Sequence, residues 1–312
     1  MPSVLVLGEA LIDIVHAQNG EKKNIPGGSP ANTAVALSRL GVKTYMKART
    51  SGDQFGVQIR NYLTAQKVDL THSIIVQDPS SIINARIQSD RSAIYEANLK
   101  GSSDYGWTYD ELEQDINQDI KIIQLGSLSS YIEPGASNIE NWFKNLKSSK
   151  KFLLLFDPNI RHPLDGEDEN KVRERAKELS STAHVVKASD EDLIWIFPSL
   201  EPLDAAREII KSGTSLVVVT AGKNGATAVN KKLETIHVDS VETKVKDTIG
   251  AGDTFAAALI AQLLEKRVFT ESMLEEIDIA SLNQILTNCA VTAALTCSRE
   301  GANPPFRDEV SW

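Results

Sequence analysis

Short runs dominated by Val, Ile, Leu and Phe recur along this chain of 312 residues, at Val4–Leu7, Lys121–Leu125, Phe152–Phe156, His184–Lys187 and Leu216–Thr220. Longer stretches with helical spacing separate them. A strand without polar alternation has to be covered on both faces, and strands that alternate with helices join in parallel. The pattern predicts an α/β fold, a mostly parallel central sheet flanked by helices on both faces. With 41% hydrophobic residues the chain can bury one large core, so residues 1–312 are expected to form a single domain.

Several helix boundaries are legible. Ser29 is placed to cap a helix with Pro30 at its first position, and Gly41 follows the last apolar residue, Leu40. Asp53 is read as the cap of the next helix, and Pro134 opens one over Gly135–Lys147. The most apolar helix is predicted over Ala251–Leu264 and a long Ala-rich one over Leu274–Cys297. Two regions break the alternation. Residues 10–26 and about 73–100 read as short strands and turns, among them Ser81–Gln88 and Ser92–Tyr95, and are expected to form a small β-sheet lid over the C-terminal edge of the main sheet.

A formal net charge of -9 argues against a nucleic-acid or anionic-membrane surface, which needs clustered Lys and Arg. The opening residues lack the basic region and long apolar core of a signal peptide, and no run approaches the roughly 18 apolar residues of a membrane span. Cys289 and Cys297 lie eight positions apart on one predicted helix, about 12 Å along its axis, too far for a disulfide. A cytoplasmic enzyme with both thiols buried as small apolar groups is the expectation.

The segment Asp247-Thr248-Ile249-Gly250-Ala251-Gly252-Asp253-Thr254 leads straight into the apolar helix. Two glycines let backbone approach a ligand, and the unpaired N–H groups of a helix start favour an anion. Asp253 then stands beside a place suited to a phosphoryl group, where a carboxylate can act as base toward an attacking hydroxyl. By spacing alone, a turn with a capping carboxylate explains the segment equally well. Toward the N-terminus, Gly27 and Gly28 precede Asn32, whose amide offers both a donor and an acceptor. Asp13 is a lone carboxylate in Leu11-Ile12-Asp13-Ile14-Val15. It must be paired, bonded or solvent-facing, and an exposed edge position would account for it without function.

Together these segments resemble the PfkB (ribokinase-like) carbohydrate kinases. Asp-Thr-x-Gly-Ala-Gly-Asp matches that family's C-terminal motif, Gly27-Gly28-Ser29-Pro30-Ala31-Asn32 its Gly-Gly-x-x-x-Asn motif, and Gly52-Asp53-Gln54-Phe55-Gly56 its next short one, where Asp53 is kept as a plain helix cap. The resemblance implies Asp253 as the base, Gly250, Ala251 and Gly252 as an anion hole for the γ-phosphate of ATP, and sugar binding by Asp13, Gly27, Gly28 and Asn32. It implies a monovalent cation such as K+ held by Asp247, Ile249, Arg299 and Gly301, mostly through backbone oxygens. Asp157-Pro158-Asn159-Ile160-Arg161 is similar to the fructokinase and 2-keto-3-deoxygluconate kinase form, with Arg161 facing substrate or phosphate. On the nucleotide side, Lys187 and Ser189 fall in a Lys-x-Ser-x-x-Glu pattern, and Thr220, Gly222 and Gly225 in a strand and turn beside ATP. The last Glu of that pattern is Asp192 here, a shorter acid in the place that organises water around Mg2+.

The matches span residues 8 to about 305. They imply an enzyme that phosphorylates a sugar, D-fructose before 2-keto-3-deoxygluconate or ribose, with specificity set by lid side chains such as Arg86 or Tyr95. Family members often form homodimers through the lid. Gly8-Glu9-Ala10 lacks the dinucleotide-binding Gly-x-Gly-x-x-Gly, and Gly222-Lys223-Asn224 fails as a P-loop. The five histidines show no ligand spacing for zinc. A non-catalytic sugar or nucleotide sensor remains the alternative of a different class, against which the retained Asp253 argues.

Overall fold

A computed structural model describes residues 1–16, 21–87, 93–161 and 166–312. The chain opens with β1 (Ser3–Leu7), leaves the main sheet for β2 (Leu11–His16) and β3 (Lys22–Gly27), and returns through α1 (Ser29–Arg39) to β4 (Thr44–Lys47). Strand β5 (Arg49–Ser51), helix α2 (Gln54–Ala65) and β6 (Ile74–Val76) follow, then β7 (Ile82–Ile87) and β8 (Ala93–Asn98). From there helices and strands alternate: α3 (Tyr109–Leu112), β9 (Ile120–Gly126), α4 (Gly135–Ser149), β10 (Leu153–Asp157), α5 (Glu169–Thr182) and β11 (Val185–Ser189). Helices α6 (Asp190–Ile196) and α7 (Pro202–Lys211) precede β12 (Leu216–Thr220), β13 (Ala226–Asn230) and β14 (Thr235–Val238). The chain closes with α8 (Ala251–Glu265), α9 (Glu271–Glu275) and α10 (Ile279–Cys297).

The main sheet runs β14-β13-β12-β11-β10-β9-β1-β4. It is parallel from β4 to β12, and β13 and β14 add an antiparallel edge. Side chains from α1, α2, α8 and α10 close one face, and those of α3 to α7 close the other. This is why β1 and β10 are buried at every position and carry no polar alternation. Helix α8 is buried nearly all round, between the sheet, α1 and α10; its alanines allow that close approach.

A second sheet, β3-β2-β7-β8, stands apart from the first, with β2 and β7 parallel and its other pairs antiparallel. The segment from residue 73 divides, since β6 pairs with β5 and only β7 and β8 join the small sheet. Gln88, Ser92, His162 and Asp165 lie outside the described residues, as do the side chains of Arg86 and Tyr95.

Two boundaries differ from expectation. The long helix predicted from Leu274 is broken, because the Asp278 carboxylate accepts from Ser281 N at 2.8 Å and caps a new helix. Gly28, not Ser29, is the cap of α1, Pro30 is its second residue, and no side chain bonds the helix start. Asp53 does cap α2, accepting from Gly56 N at 2.8 Å, and also holds Ser80. Cys289 is fully buried and Cys297 partly so, both as free thiols.

A lysine is buried in the apolar layer of the main sheet. Lys47 ends β4 with 0% exposure, and its Nζ has no hydrogen-bond partner among the described residues. The Trp107 ring centroid lies 5.8 Å from that nitrogen.

Candidate active site

The helix α8 start follows from its sequence. Gly250 adopts a left-handed φ of 77°, and a Cβ there would come within 2.8 Å of Ala302 Cβ, so only glycine fits without strain. Thr254 N makes the first helical bond, to Gly250 O at 2.9 Å, while Ala251 N turns back to Thr248 O. Helix geometry therefore leaves the amides of Gly252 and Asp253 without an intrahelical acceptor, beside the positive end of the helix dipole.

Asp253 is 8% exposed and held at both oxygens. Ser29 Oγ donates to Oδ1 at 2.6 Å and Asn32 Nδ2 to Oδ2 at 3.0 Å, both from the start of α1. Burial pushes the carboxyl above its usual range. The bonds from Ser29 and Asn32, and the charges of Lys187 and Arg161, pull the other way. The sequence placed Asn32 against sugar and Ser29 on the helix cap; here both meet Asp253.

Lys187, in β11, reaches the same place from below. It is 5% exposed and its Nζ donates to Asp157 Oδ2 at 3.0 Å. Burial disfavours the ammonium, but the carboxylates of Asp157, Asp192 and Asp253 outweigh it and raise its pKa. A Cβ on Gly252 would sit 3.1 Å from that Nζ, so the lysine lies directly behind the glycine. Asp157 Oδ1 is buried without a hydrogen-bond partner among the described residues.

Asp13 belongs to β2, an inner strand of the small sheet between β3 and β7, so the edge-position explanation does not hold. Burial pushes its carboxyl up to about 6, against the charge of Arg161. Gly27, opposite Leu11 in β3, leaves room for it: a Cβ at Gly27 would lie 2.5 Å from Asp13 Oδ2. Gly28 has φ 102°, and a side chain there would strike Glu9 O at 2.6 Å. Arg161 thus exerts its charge on both Asp13 and Asp253.

Asp192 is spent on the fold. Its Oδ2 accepts from Ser189 N at 2.9 Å and Ser189 Oγ at 2.6 Å in a capping box for α6, while its Oδ1 accepts from Ile160 N at 2.7 Å. The shorter acid therefore ties the turn that carries Arg161 to the end of β11. Asp247 joins two loops: its Oδ1 accepts from Ile249 N at 3.0 Å and its Oδ2 from Gly301 N at 2.9 Å. The Arg299 guanidinium is committed to Glu309 at 2.5 Å. Thr220 ends β12, and Gly222 and Gly225 bracket the turn into β13. A Cβ on Gly222 would meet nothing within 4 Å, whereas one on Gly225 would lie 2.1 Å from Val238 O.

Two further groups escaped the sequence reading. In sequence Ser29 reads as a helix cap, and nothing in one sequence pairs it with a residue 224 positions away. Asp104 accepts from Ala10 N at 2.8 Å and from Ser81 Oγ at 2.5 Å, and so pins the two points where the chain enters the small sheet. Burial raises its carboxyl to about 7.

A parallel sheet with a glycine-built helix start, a buried carboxylate and a buried ammonium at its strand ends is an arrangement that can receive an anionic group. The chain belongs to the pfkB family of carbohydrate kinases, whose model matches residues 1–309. It is thus a phosphotransferase acting on a sugar hydroxyl. A fructokinase of Rhizobium leguminosarum bv. trifolii is 31% identical, over 88% of this chain and 84% of its own. Fructokinase-2 of Solanum lycopersicum is 28% identical, over 96% and 92%. Among solved structures, an uncharacterized sugar kinase of Pyrococcus horikoshii in complex with ATP superposes with a TM-score of 0.83 at 26% identity, covering 98% of this chain and 96% of its own. A Vibrio cholerae fructokinase holding fructose, ADP and potassium shares the fold, with a TM-score of 0.83, 23% identity and coverage of 97% and 94%. Among the described residues no helix is long and apolar enough to cross a membrane, and no group of three or more His, Cys, Asp or Glu is arranged around a metal.

Proposed function

We propose that this chain is an ATP-dependent fructokinase that phosphorylates the 6-hydroxyl of D-fructose, with Asp253 as the base. The observation that carries the reading is Asp253 itself, buried at the start of α8 beside the Gly250-Ala251-Gly252 turn with the open amides of Gly252 and Asp253, and within the field of Lys187 and Arg161. Fructose is favoured because relatives that match across most of the chain are fructokinases. ATP is favoured by the Pyrococcus horikoshii structure.

In this reading the sugar lies between the small sheet and the main one, held by Asp13, the Gly27-Gly28 turn and Asn32. The small sheet acts as a lid, and closing it keeps water from the phosphoryl group. Asp253 takes the proton of the attacking hydroxyl, and the amides with Lys187 receive the negative charge of the transferring phosphoryl. ATP lies along Thr220, Gly222 and Gly225.

Magnesium would be carried by the nucleotide phosphates and would supply charge neutralisation there. Both oxygens of Asp192 are engaged in the fold and Asp157 Oδ1 is buried, so these two carboxylates would act on the ion through their charge. A monovalent cation would be held near Asp247, which ties Ile249 to the Arg299–Gly301 loop, mostly by backbone oxygens of those loops. It would strengthen the electrostatic field behind the anion hole.

The test is ADP release by the purified protein with Mg-ATP across D-fructose, 2-keto-3-deoxygluconate and D-ribose, in potassium and in a large organic cation. Fast turnover on fructose that needs potassium is the expected result. Turnover on 2-keto-3-deoxygluconate alone would overturn the sugar assignment, and equal rates in both cations would overturn the cation site.

A further inference from the structure

Ser29 sits where α1 meets the end of β1, and its mount is rigid. A Cβ on Gly8 would lie 2.2 Å from Pro30 Cγ, and one on Gly28 2.6 Å from Glu9 O, so the first turn of α1 is wedged against the β1–β2 connection with no slack. The hydroxyl makes no capping bond. It donates instead to Asp253 Oδ1 at 2.6 Å, while Asn32 Nδ2 holds Oδ2 at 3.0 Å. Each carboxylate oxygen has two lone pairs, so two donors fix the plane of the carboxylate and still leave a lone pair on each oxygen for an incoming hydroxyl.

We infer that Ser29 is a positioning residue for the base: its hydroxyl fixes the Asp253 carboxylate in one rotamer and favours its ionised form. The inference rests on the reading of Asp253 as base. A bond donated to the charged form stabilises that form, and it counters the burial that pushes the Asp253 carboxyl upward. The other charged groups that act on Asp253 are Lys187 on β11, Arg161 in the turn after β10, and Asp157 at the end of β10. The first two favour the carboxylate and the third opposes it. Ser29 keeps its own proton throughout; the proton of the sugar hydroxyl goes to Asp253.

The experiment compares Ser29→Ala, Ser29→Thr and Asp253→Asn with the parent, reading melting temperature, kcat, KM and the acid limb of the pH profile of kcat/KM. Ser29→Ala keeps the cap of α1 but loses one hydrogen bond to a buried carboxylate, so it should fold and melt a few degrees below the parent. Its kcat should fall about tenfold, the scale of one hydrogen bond to a charged group, with sugar KM changed little. Its acid limb should move up by about one pH unit, and Ser29→Thr, which restores the hydroxyl, should return the limb to its original place. An unmoved limb in Ser29→Ala, or a Thr variant as impaired as the Ala variant, overturns the inference. If Asp253→Asn turns over at the parent rate, the base assignment fails and Ser29 with it. An inactive Asp253→Asn beside an unmoved Ser29→Ala limb removes the role of Ser29 alone.

Discussion

Lys47 closes β4 inside the apolar layer that contains Leu5, Leu7 and Trp107, and nothing among the described residues accepts a hydrogen bond from its ammonium. Burial lowers its pKa from 10.5 to about 8, against a weak opposing pull from Glu111. The unfolded chain thus binds more protons than the folded one between about pH 8 and 10.5, and stability should rise with pH through that window. At about 1.4 kcal/mol per unit of pKa, the penalty is about 3 kcal/mol at pH 7 and roughly half that at pH 9.5. Lys47→Met keeps the length of the side chain and removes the charge. The variant should be more stable than the parent by about 3 kcal/mol at pH 7, and the gap should shrink by roughly half at pH 9.5. Urea unfolding followed by far-ultraviolet circular dichroism at both pH values measures it, and comparing the two proteins cancels other titrations. A variant no more stable than the parent at pH 7, or a gap that does not change with pH, refutes the reasoning.

Two substitutions at glycines probe the site itself. Gly27→Ala would put a Cβ 2.5 Å from Asp13 Oδ2 and displace that carboxylate, so sugar KM should rise about tenfold or more, the scale of losing a charged hydrogen bond, with a smaller change in kcat; steady-state kinetics in varied sugar decides. Gly252→Ala would press on Lys187, which is sealed in and bonded to Asp157. Here kcat should fall by roughly 10²-fold, as when one oxyanion donor is lost, with sugar KM nearly unchanged; a parent-like kcat would show that Lys187 yields without cost.

Much of the fold was legible because its signals are local. Unbroken apolar runs such as Leu216–Thr220 can be stable only as covered strands, and Asp53 and Pro134 mark helix starts through chemistry confined to a few neighbouring residues. The break at Asp278 was missed for a related reason: the Ala- and Leu-rich periodicity runs across it, and a single cap outweighs it only because the carboxylate finds Ser281 N. The glycine-built start of α8 could be read ahead of the fold, since a left-handed φ at Gly250 and unpaired first-turn amides are properties of that segment alone.

Partners remote in sequence were decided by tertiary structure. Whether Ser29 caps its helix or holds Asp253 depends on α1 and α8 lying side by side, a contact between residues 224 positions apart. Asp192 could be recognised as an acid in a nucleotide-side motif, but its commitment to Ile160 N exists only because the turn after β10 packs on the cap of α6. Asp104 gave no sequence signal, and becomes the pin of the small sheet only when Ala10 and Ser81 arrive beside it. Backbone conformation and burial are written in short stretches of sequence, whereas hydrogen bonds between side chains need angstrom-scale placement that only the packed elements supply.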